Sequence, residues 1–247
     1  GVNVTLTSGT IVGASLLIGA DGKNSRVREA SGIPVRRRLS GQKALTALIE
    51  HEFAHENVSI ERHKKGGPFT TVPLAAPNQS SLVWLEQRDR HSALAGGGLS
   101  LQKKAAEALM PDALGELRAL HGVAFWEIEF LNAARLATHR TLVMAEAAHA
   151  FSPIGAKGMN LSLDDVDVLL RIMKDAAGSG VDPGHAEFLR RYELQRMPQI
   201  LKESGKVGFL NQYVQAGGIF QDVISGSGLQ LLNGFPALKN GAIRIMR

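Results

Sequence analysis

The chain has 247 residues, 44% of them hydrophobic, with a formal net charge of +5 and no cysteine. That is enough apolar material for one large core or two small ones. The lack of cysteine excludes a disulfide framework, a thiolate nucleophile and any cysteine-ligated zinc or iron–sulfur site. No uninterrupted apolar run reaches about 18 residues, so no spanning helix is expected. The short basic runs Arg36-Arg37-Arg38 and Lys103-Lys104 have few aromatics beside them and read as solvated surface, not as a nucleic-acid groove.

In chain order, Val2 to Thr7 alternates, Ser8-Gly9 marks a turn, and Thr10 to Ile18 resumes an extended run that becomes more apolar. This predicts a hairpin whose second arm ends buried. Gly19-Ala20-Asp21-Gly22 breaks the strand, and Ser25 to Ser31 reads as a short helix closed by Gly32 and followed by Pro34. Between Gln42 and Arg88, extended runs are separated by Gly66-Gly67-Pro68 and Pro77-Asn78, so Val58 to His63, Phe69 to Leu74 and Ser81 to Glu86 are expected as strands of an antiparallel sheet. Gly96-Gly97-Gly98 reads as a loop, Leu101 to Met110 and Asp112 to Leu120 as helices, and Val123 to Phe130 as another strand.

Thr141 to Ala145 returns as a buried strand. Behind it, Met159, Leu163, Val166, Leu170 and Met173 recur at helical spacing and are expected to form the buried face, with Asp167 and Arg171 paired on the other face and Gly178 ending the helix. Asp182-Pro183 starts a long helix that Pro198 kinks before it runs towards Tyr213. A Gly/Ser stretch around Gly226 precedes a last apolar segment, Leu229 to Met246, of helical type.

The stretch from Leu142 to Leu161 organises the rest. It leaves a strand with Glu146 at the strand's end, crosses a loop containing Pro153 and Gly155, and enters a helix at Gly158-Met159-Asn160. A helix N-terminus behind a glycine loop presents backbone N–H groups and a positive dipole end, which suits a phosphate, a carboxylate or the pyrimidine edge of a flavin. Glu146-Ala147-Ala148-His149 through Ser152-Pro153, Gly155 and Gly158-Met159-Asn160 resembles the second flavin-binding motif of FAD-dependent aromatic-ring hydroxylases, the para-hydroxybenzoate hydroxylase-like family. Gly19-Ala20-Asp21-Gly22 with Ser25 and Arg28 resembles their Asp-Gly motif, and the wording from Ser152 to Leu163 is most similar to the ubiquinone-biosynthesis hydroxylases.

The resemblance implies an α/β (mixed α+β) fold, a partial Rossmann-like FAD-binding domain joined to an antiparallel substrate-domain sheet and C-terminal helices. The implied organisation is an FAD-binding part in residues 1–40, the substrate sheet with helices in 41–130, a second FAD-binding part in 131–178 and a helical region in 179–247. A G-x-G-x-x-G opening, which holds the FAD pyrophosphate in this family, does not occur, so the chain is expected to be N-terminally truncated, lacking the first βαβ unit.

FAD is the implied cofactor and NAD(P)H the electron donor. Gly19, Asp21, Gly22 and Arg28 would face the pyrophosphate and the nicotinamide route, and Asp21 reads equally as a turn residue capping the next helix. Glu146 would accept from a ribityl hydroxyl. Gly155, Gly158, Met159 and Asn160 would stabilise the reduced pyrimidine edge, and Pro153 would line the place where substrate is hydroxylated. Where the family carries Gly then Asp, this chain has Ala145-Glu146, and both changes bear on FAD affinity.

The implied substrate is an aromatic ring, prenylated as in a ubiquinone precursor. Cytoplasm is the default location; the implied lipid substrate points to peripheral contact with the inner membrane or a biosynthetic complex, and loss of the first βαβ unit is expected to expose an apolar edge and invite self-association. Two other readings stand beside this one. A non-catalytic remnant would bind a prenyl lipid or a partner. A zinc hydrolase would use His51-Glu52-Phe53-Ala54-His55, which matches H-E-x-x-H and requires that segment to be helical.

Overall fold

A computed structural model describes residues 1–153 and 157–215. The first half of the chain runs β1 (Val2–Thr5), β2 (Ile11–Ala14), β3 (Leu17–Gly19), α1 (Arg26–Ala30), β4 (Val35–His51), β5 (Ile60–Arg62), β6 (Phe69–Pro73), β7 (Gln79–Gln87), α2 (Arg88–Gly96) and α3 (Gly98–Glu107). It continues through β8 (Leu117–Ala133), β9 (Ala137–Thr138), β10 (Thr141–Val143), β11 (His149–Ala150), α4 (Lys157–Ser179) and α5 (Ala186–Gln215). Two compact units result, one from Gly1–Ser40 with Ile128–Asn211, the other built on Gly41–Glu127.

In the first unit β1 and β2 pair antiparallel, Val2 opposite Ala14 and Thr5 opposite Ile11. The expected single long second arm is two strands. Ile11 and Val12 are exposed, the chain breaks at Ser15-Leu16, and β3 leaves the hairpin to pair in parallel with β10, whose other edge carries β9 antiparallel. All three residues of β10 are buried, as expected of a strand with parallel pairing and cover on both faces. Leu136, Leu142, Leu169, Ile172, Leu189 and Tyr192 form the core beside it.

The helix behind the organising loop is α4, but its register differs from the expectation. Leu161, Val168, Leu169, Ile172 and Ala176 are the buried apolar residues, while Met159, Leu163, Val166 and Leu170 are exposed and, of the expected set, Met173 packs against the core. Both sets satisfy helical spacing, so periodicity alone did not choose between them. Asp167 and Arg171 pair at 2.8 Å as expected. The helix runs through Ser179, and Gly180, with φ of 64°, makes the left-handed exit in place of Gly178. Asp182 closes a turn by accepting from the Gly184 amide at 2.8 Å, so α5 starts at Ala186, a few residues later than the Asp-Pro pair suggests, and it continues through Pro198. The segment from Gly226 through Leu229 to Met246 lies outside the described residues.

In the second unit β4 pairs antiparallel with β7 from Gln42–Gln87 to Glu50–Gln79, β7 with β6, and β6 with β5. β8 lies on the other side of β4. Alternate residues Leu45, Ala47 and Ile49 turn inward with Phe69, Leu82 and Trp84. The antiparallel sheet is the one expected, with two corrections. Gly96-Gly97-Gly98 is the junction of two helices, α2 and α3, and not a plain loop. Of the helix expected over Asp112–Leu120 only a short 3-10 turn, Asp112–Leu114, forms; Gly115 (φ 67°) ends it, and Leu117 onwards joins β8.

Candidate functional site

Both sequence motifs leave the carboxyl ends of neighbouring parallel strands, the place where open α/β sheets bind ligands. Gly19 of β3 stands opposite Val143 of β10, and the Met144 amide donates to the Gly19 carbonyl at 3.0 Å. A Cβ on Gly19 would fall 2.8 Å from Val27 and 3.2 Å from Val143, so this glycine lets α1 and β10 close on the strand end. Gly22 turns the chain with φ of 81°.

The Asp21 carboxylate accepts from the Ser25 hydroxyl and from the amides of Arg26 (2.8 Å) and Val27 (3.2 Å), while Ser25 Oγ caps Arg28 N at 2.9 Å. Although burial works in the other direction, the Ser25 hydroxyl and these amides hold the Asp21 carboxyl below its ordinary pKa. Asp21 therefore builds the start of α1. Arg28, only 4% exposed, donates from Nη1 to the Ala147 carbonyl (2.7 Å) and from Nη2 to the Lys23 carbonyl (2.9 Å), tying one motif to the other.

After β10 the backbone passes through Ala145 with φ of 53°, a left-handed conformation that L-residues other than Asn and Asp rarely take. The next residue, Glu146, is exposed and has no hydrogen-bond or ion-pair partner among the described residues. Below this turn lies a buried charge cluster. Asp165 of α4 accepts from the Ala145 amide (2.8 Å), His149 Nε2 (2.7 Å) and Arg196 Nε of α5 (2.7 Å). Arg196 also donates from Nη2 to the Leu161 carbonyl at 2.9 Å and from Nη1 to Gln199. Burial alone raises the Asp165 pKa, but His149, the Ala145 amide and Arg196 reverse that and hold the carboxyl below its usual range. Burial and the neighbouring Asp165 push the Tyr192 hydroxyl up.

The loop goes on through His149, whose ring stacks on Phe151 at 5.5 Å, to Ser152, whose buried hydroxyl has no partner among the described residues, and to exposed Pro153. Gly155 lies outside the described residues. Gly158, Met159 and Asn160 are exposed in the opening turns of α4, and a Cβ added to Gly158 would meet nothing within 4 Å. No crowding within the described chain thus calls for a glycine at 158.

Asp165 and Arg196 escaped the sequence reading. The available signal was an acid spaced with Leu161, Val168 and Ile172, the apolar set that α4 actually buries.

The H-E-x-x-H segment is not a helix. His51 ends β4, and the following residues form a bend. His51 Nδ1 donates to the Phe53 carbonyl (2.7 Å) and Nε2 accepts from Ser80 Oγ (2.9 Å). His55 Nε2 faces the Leu74 and Ala76 carbonyls (both 3.1 Å), and Nδ1 accepts from the Asn57 amide (3.0 Å). Each lone pair a metal would need is already engaged by the protein, which removes the zinc reading.

The two units, a short mixed sheet with helices and an antiparallel sheet, have the fold of FAD-dependent monooxygenases. Klebsiella pneumoniae HpxO complexed with FAD and uric acid superposes with a TM-score of 0.69 at 20% identity, over 94% of this chain and 61% of that one. The chain belongs to the FAD binding domain family, which matches residues 3–200. It is 37% identical over 205 residues to the ubiquinone hydroxylase UbiL of Rhodospirillum rubrum, covering 81% of this chain and 47% of that protein. It is 29% identical to the ubiquinone biosynthesis monooxygenase COQ6 of Danio rerio, over 96% of this chain and 56% of that one. The chain spans about half the length of the curated relatives it matches.

The residues present fit a flavin. Glu146 offers an unengaged carboxylate at the strand end, the Ser152 hydroxyl is buried without a partner, and Gly158 leaves its backbone open at the positive end of a 23-residue helix.

Proposed function

We propose that this chain carries the Asp-Gly and second-motif part of the flavin site, together with the substrate sheet, of an FAD-dependent, NAD(P)H-using monooxygenase that hydroxylates an aromatic ring. The substrate class is a ubiquinone precursor with a prenyl tail. The observation that carries this reading is that Arg28 ties the Asp-Gly turn to the turn presenting exposed Glu146, which Asp165 in turn holds to α4, on a chain 37% identical to a ubiquinone hydroxylase.

FAD, when bound, supplies the redox and oxygen chemistry. The chain's own groups bind and orient. Glu146 accepts a hydrogen bond from a cofactor hydroxyl, the amides of Gly158 and Met159 and the α4 dipole favour negative charge in front of them, and Arg28 keeps the two motifs in register. Asn160 follows them in the opening of α4, and Pro153 borders the substrate side.

The exposed Met159, Leu163, Val166 and Leu170 stripe supports contact with a further polypeptide, be it another copy or a biosynthetic partner, and it is also the feature that favours a non-catalytic, partner-binding chain as the second reading.

A titration of the purified chain with FAD, read by visible spectrum and fluorescence quenching, tests the proposal. Saturable binding weakened by Asn160→Ala supports the flavin site. Absence of binding in the parent leaves the partner-binding reading.

A further inference from the structure

The turn that presents Glu146 rests on an alanine at φ 53°. A Cβ disfavours that conformation, which glycine adopts freely, so something outside the residue must hold it. The Ala145 amide points at Asp165 Oδ2, 2.8 Å away, and that oxygen is itself fixed. Asp165 and Arg196 are fully buried and His149 nearly so, the second carboxylate oxygen is taken by Arg196 Nε, and Arg196 is anchored to the Leu161 carbonyl and Gln199. The acceptor therefore cannot follow the amide if the turn relaxes. The turn is also closed locally, Ala147 N to the Met144 carbonyl at 3.2 Å and Ala148 N to the Ala145 carbonyl at 2.9 Å.

We propose that Asp165 is a positioning residue for the flavin site: through its hydrogen bond to the Ala145 amide it enforces the left-handed turn that aims Glu146, a task that a glycine at 145 would perform by backbone freedom alone. The inference rests on the flavin reading above for its consequence, and on the turn geometry for its substance.

The test is a two-by-two set of the parent, Asp165→Asn, Ala145→Gly and the double variant. An asparagine at 165 keeps the side-chain volume; Arg196 Nε can only donate and claims its oxygen, so the NH2 falls on the side of His149, whose imidazole can accept, and of the Ala145 amide, which it opposes. FAD dissociation constants and urea midpoints are measured for all four. Expected is a loss of affinity of roughly tenfold or more in Asp165→Asn, about the worth of one charge-assisted hydrogen bond, with most of it regained in the double variant although its urea midpoint stays low because Arg196 remains without its counterion. A purely structural Asp165 predicts affinity and stability that stay depressed together, and that outcome overturns the proposal.

If the parent binds no FAD, the flavin reading fails and the turn is judged by stability alone. Ala145→Gly then raises the urea midpoint, and raises it more in the Asp165→Asn background; additive or negative effects overturn the inference. If Asp165→Asn does not fold, amide exchange in the parent decides: protection of the Ala145 amide comparable with that of α4 supports the hydrogen bond, and loop-like exchange refutes it.

Discussion

Arg28 and Ala147 are 119 residues apart in sequence, and a hydrogen bond of 2.7 Å joins the guanidinium of one to the carbonyl of the other. The same guanidinium reaches the Lys23 carbonyl, so a single buried cation spans the Asp-Gly turn and the turn after β10. Truncation to Arg28→Ala leaves the buried Ala147 carbonyl without its donor, while the Lys23 carbonyl keeps Arg37 Nη2 at 2.6 Å, and a hydrogen bond to a charged group is worth about 1.5–3 kcal/mol. A loss of roughly 2–3 kcal/mol by urea unfolding is expected, together with weaker FAD binding. Arg28→Lys keeps the charge but not the fork and should fall between the two. A fully stable Arg28→Ala chain would show that the motifs hold their register without this bridge.

Acid stability follows from Asp165. Its carboxyl is held below the ordinary range in the fold, because His149, the Ala145 amide and Arg196 outweigh the opposing effect of burial. For a group depressed in the folded state, the stabilising contribution is complete above the unfolded value, about 3.9 for an aspartate. It is lost as pH falls through the folded value. The part of the urea-midpoint difference between the parent and Asp165→Asn that the Asp165 charge supplies should therefore be complete above about pH 4 and shrink below it. A difference that persists unchanged into that acid range would mean that Asp165 does not carry the charge.

How far the sequence could be read follows from which signals were local. Asp21, Ser25 and Gly32 lie within one turn of the helix they bracket, and the α1 region forms as the pattern predicts. The alternation in β4, β6 and β7 reports a half-buried sheet directly. The Arg28–Ala147 and Asp165–Arg196 pairs join distant segments, and no spacing rule connects them. α4 misled because Met159-Leu163-Val166-Leu170 and Leu161-Val168-Ile172 are two apolar stripes on one helix. The turn at Ala145 was legible as a substitution in a motif, but its strained φ is a property of the folded backbone.

The misassigned stripe makes its own prediction. Leu163 is 60% and Leu170 53% exposed, so Leu163→Lys and Leu170→Lys should change stability by no more than about 0.5 kcal/mol, as substitutions at uncovered surface do. Sedimentation at rising concentration reads the other half. Self-association through this face predicts a parent that grows heavier with concentration and a double variant that does not. Destabilisation beyond about 2 kcal/mol would instead mean that the stripe packs on part of the same chain.

Two glycines separate folding from binding. Gly19→Ala puts a methyl 2.8 Å from the Val27 side chain, and overpacking of that kind costs about 1–3 kcal/mol; it should lower stability whether or not a cofactor is present. Gly158→Ala meets nothing within 4 Å and exchanges the weakest non-proline helix former for the strongest, a gain of up to about 1 kcal/mol in a helix interior and less in a first turn. The bare chain should therefore be as stable as the parent or more so. If FAD approaches the α4 backbone there, the new methyl occupies its place and the dissociation constant rises by roughly tenfold or more, the equivalent of about 1.4 kcal/mol of steric cost. The combination of retained stability and lost affinity cannot come from misfolding. A Gly158→Ala chain that binds FAD as tightly as the parent would move the cofactor away from this helix end.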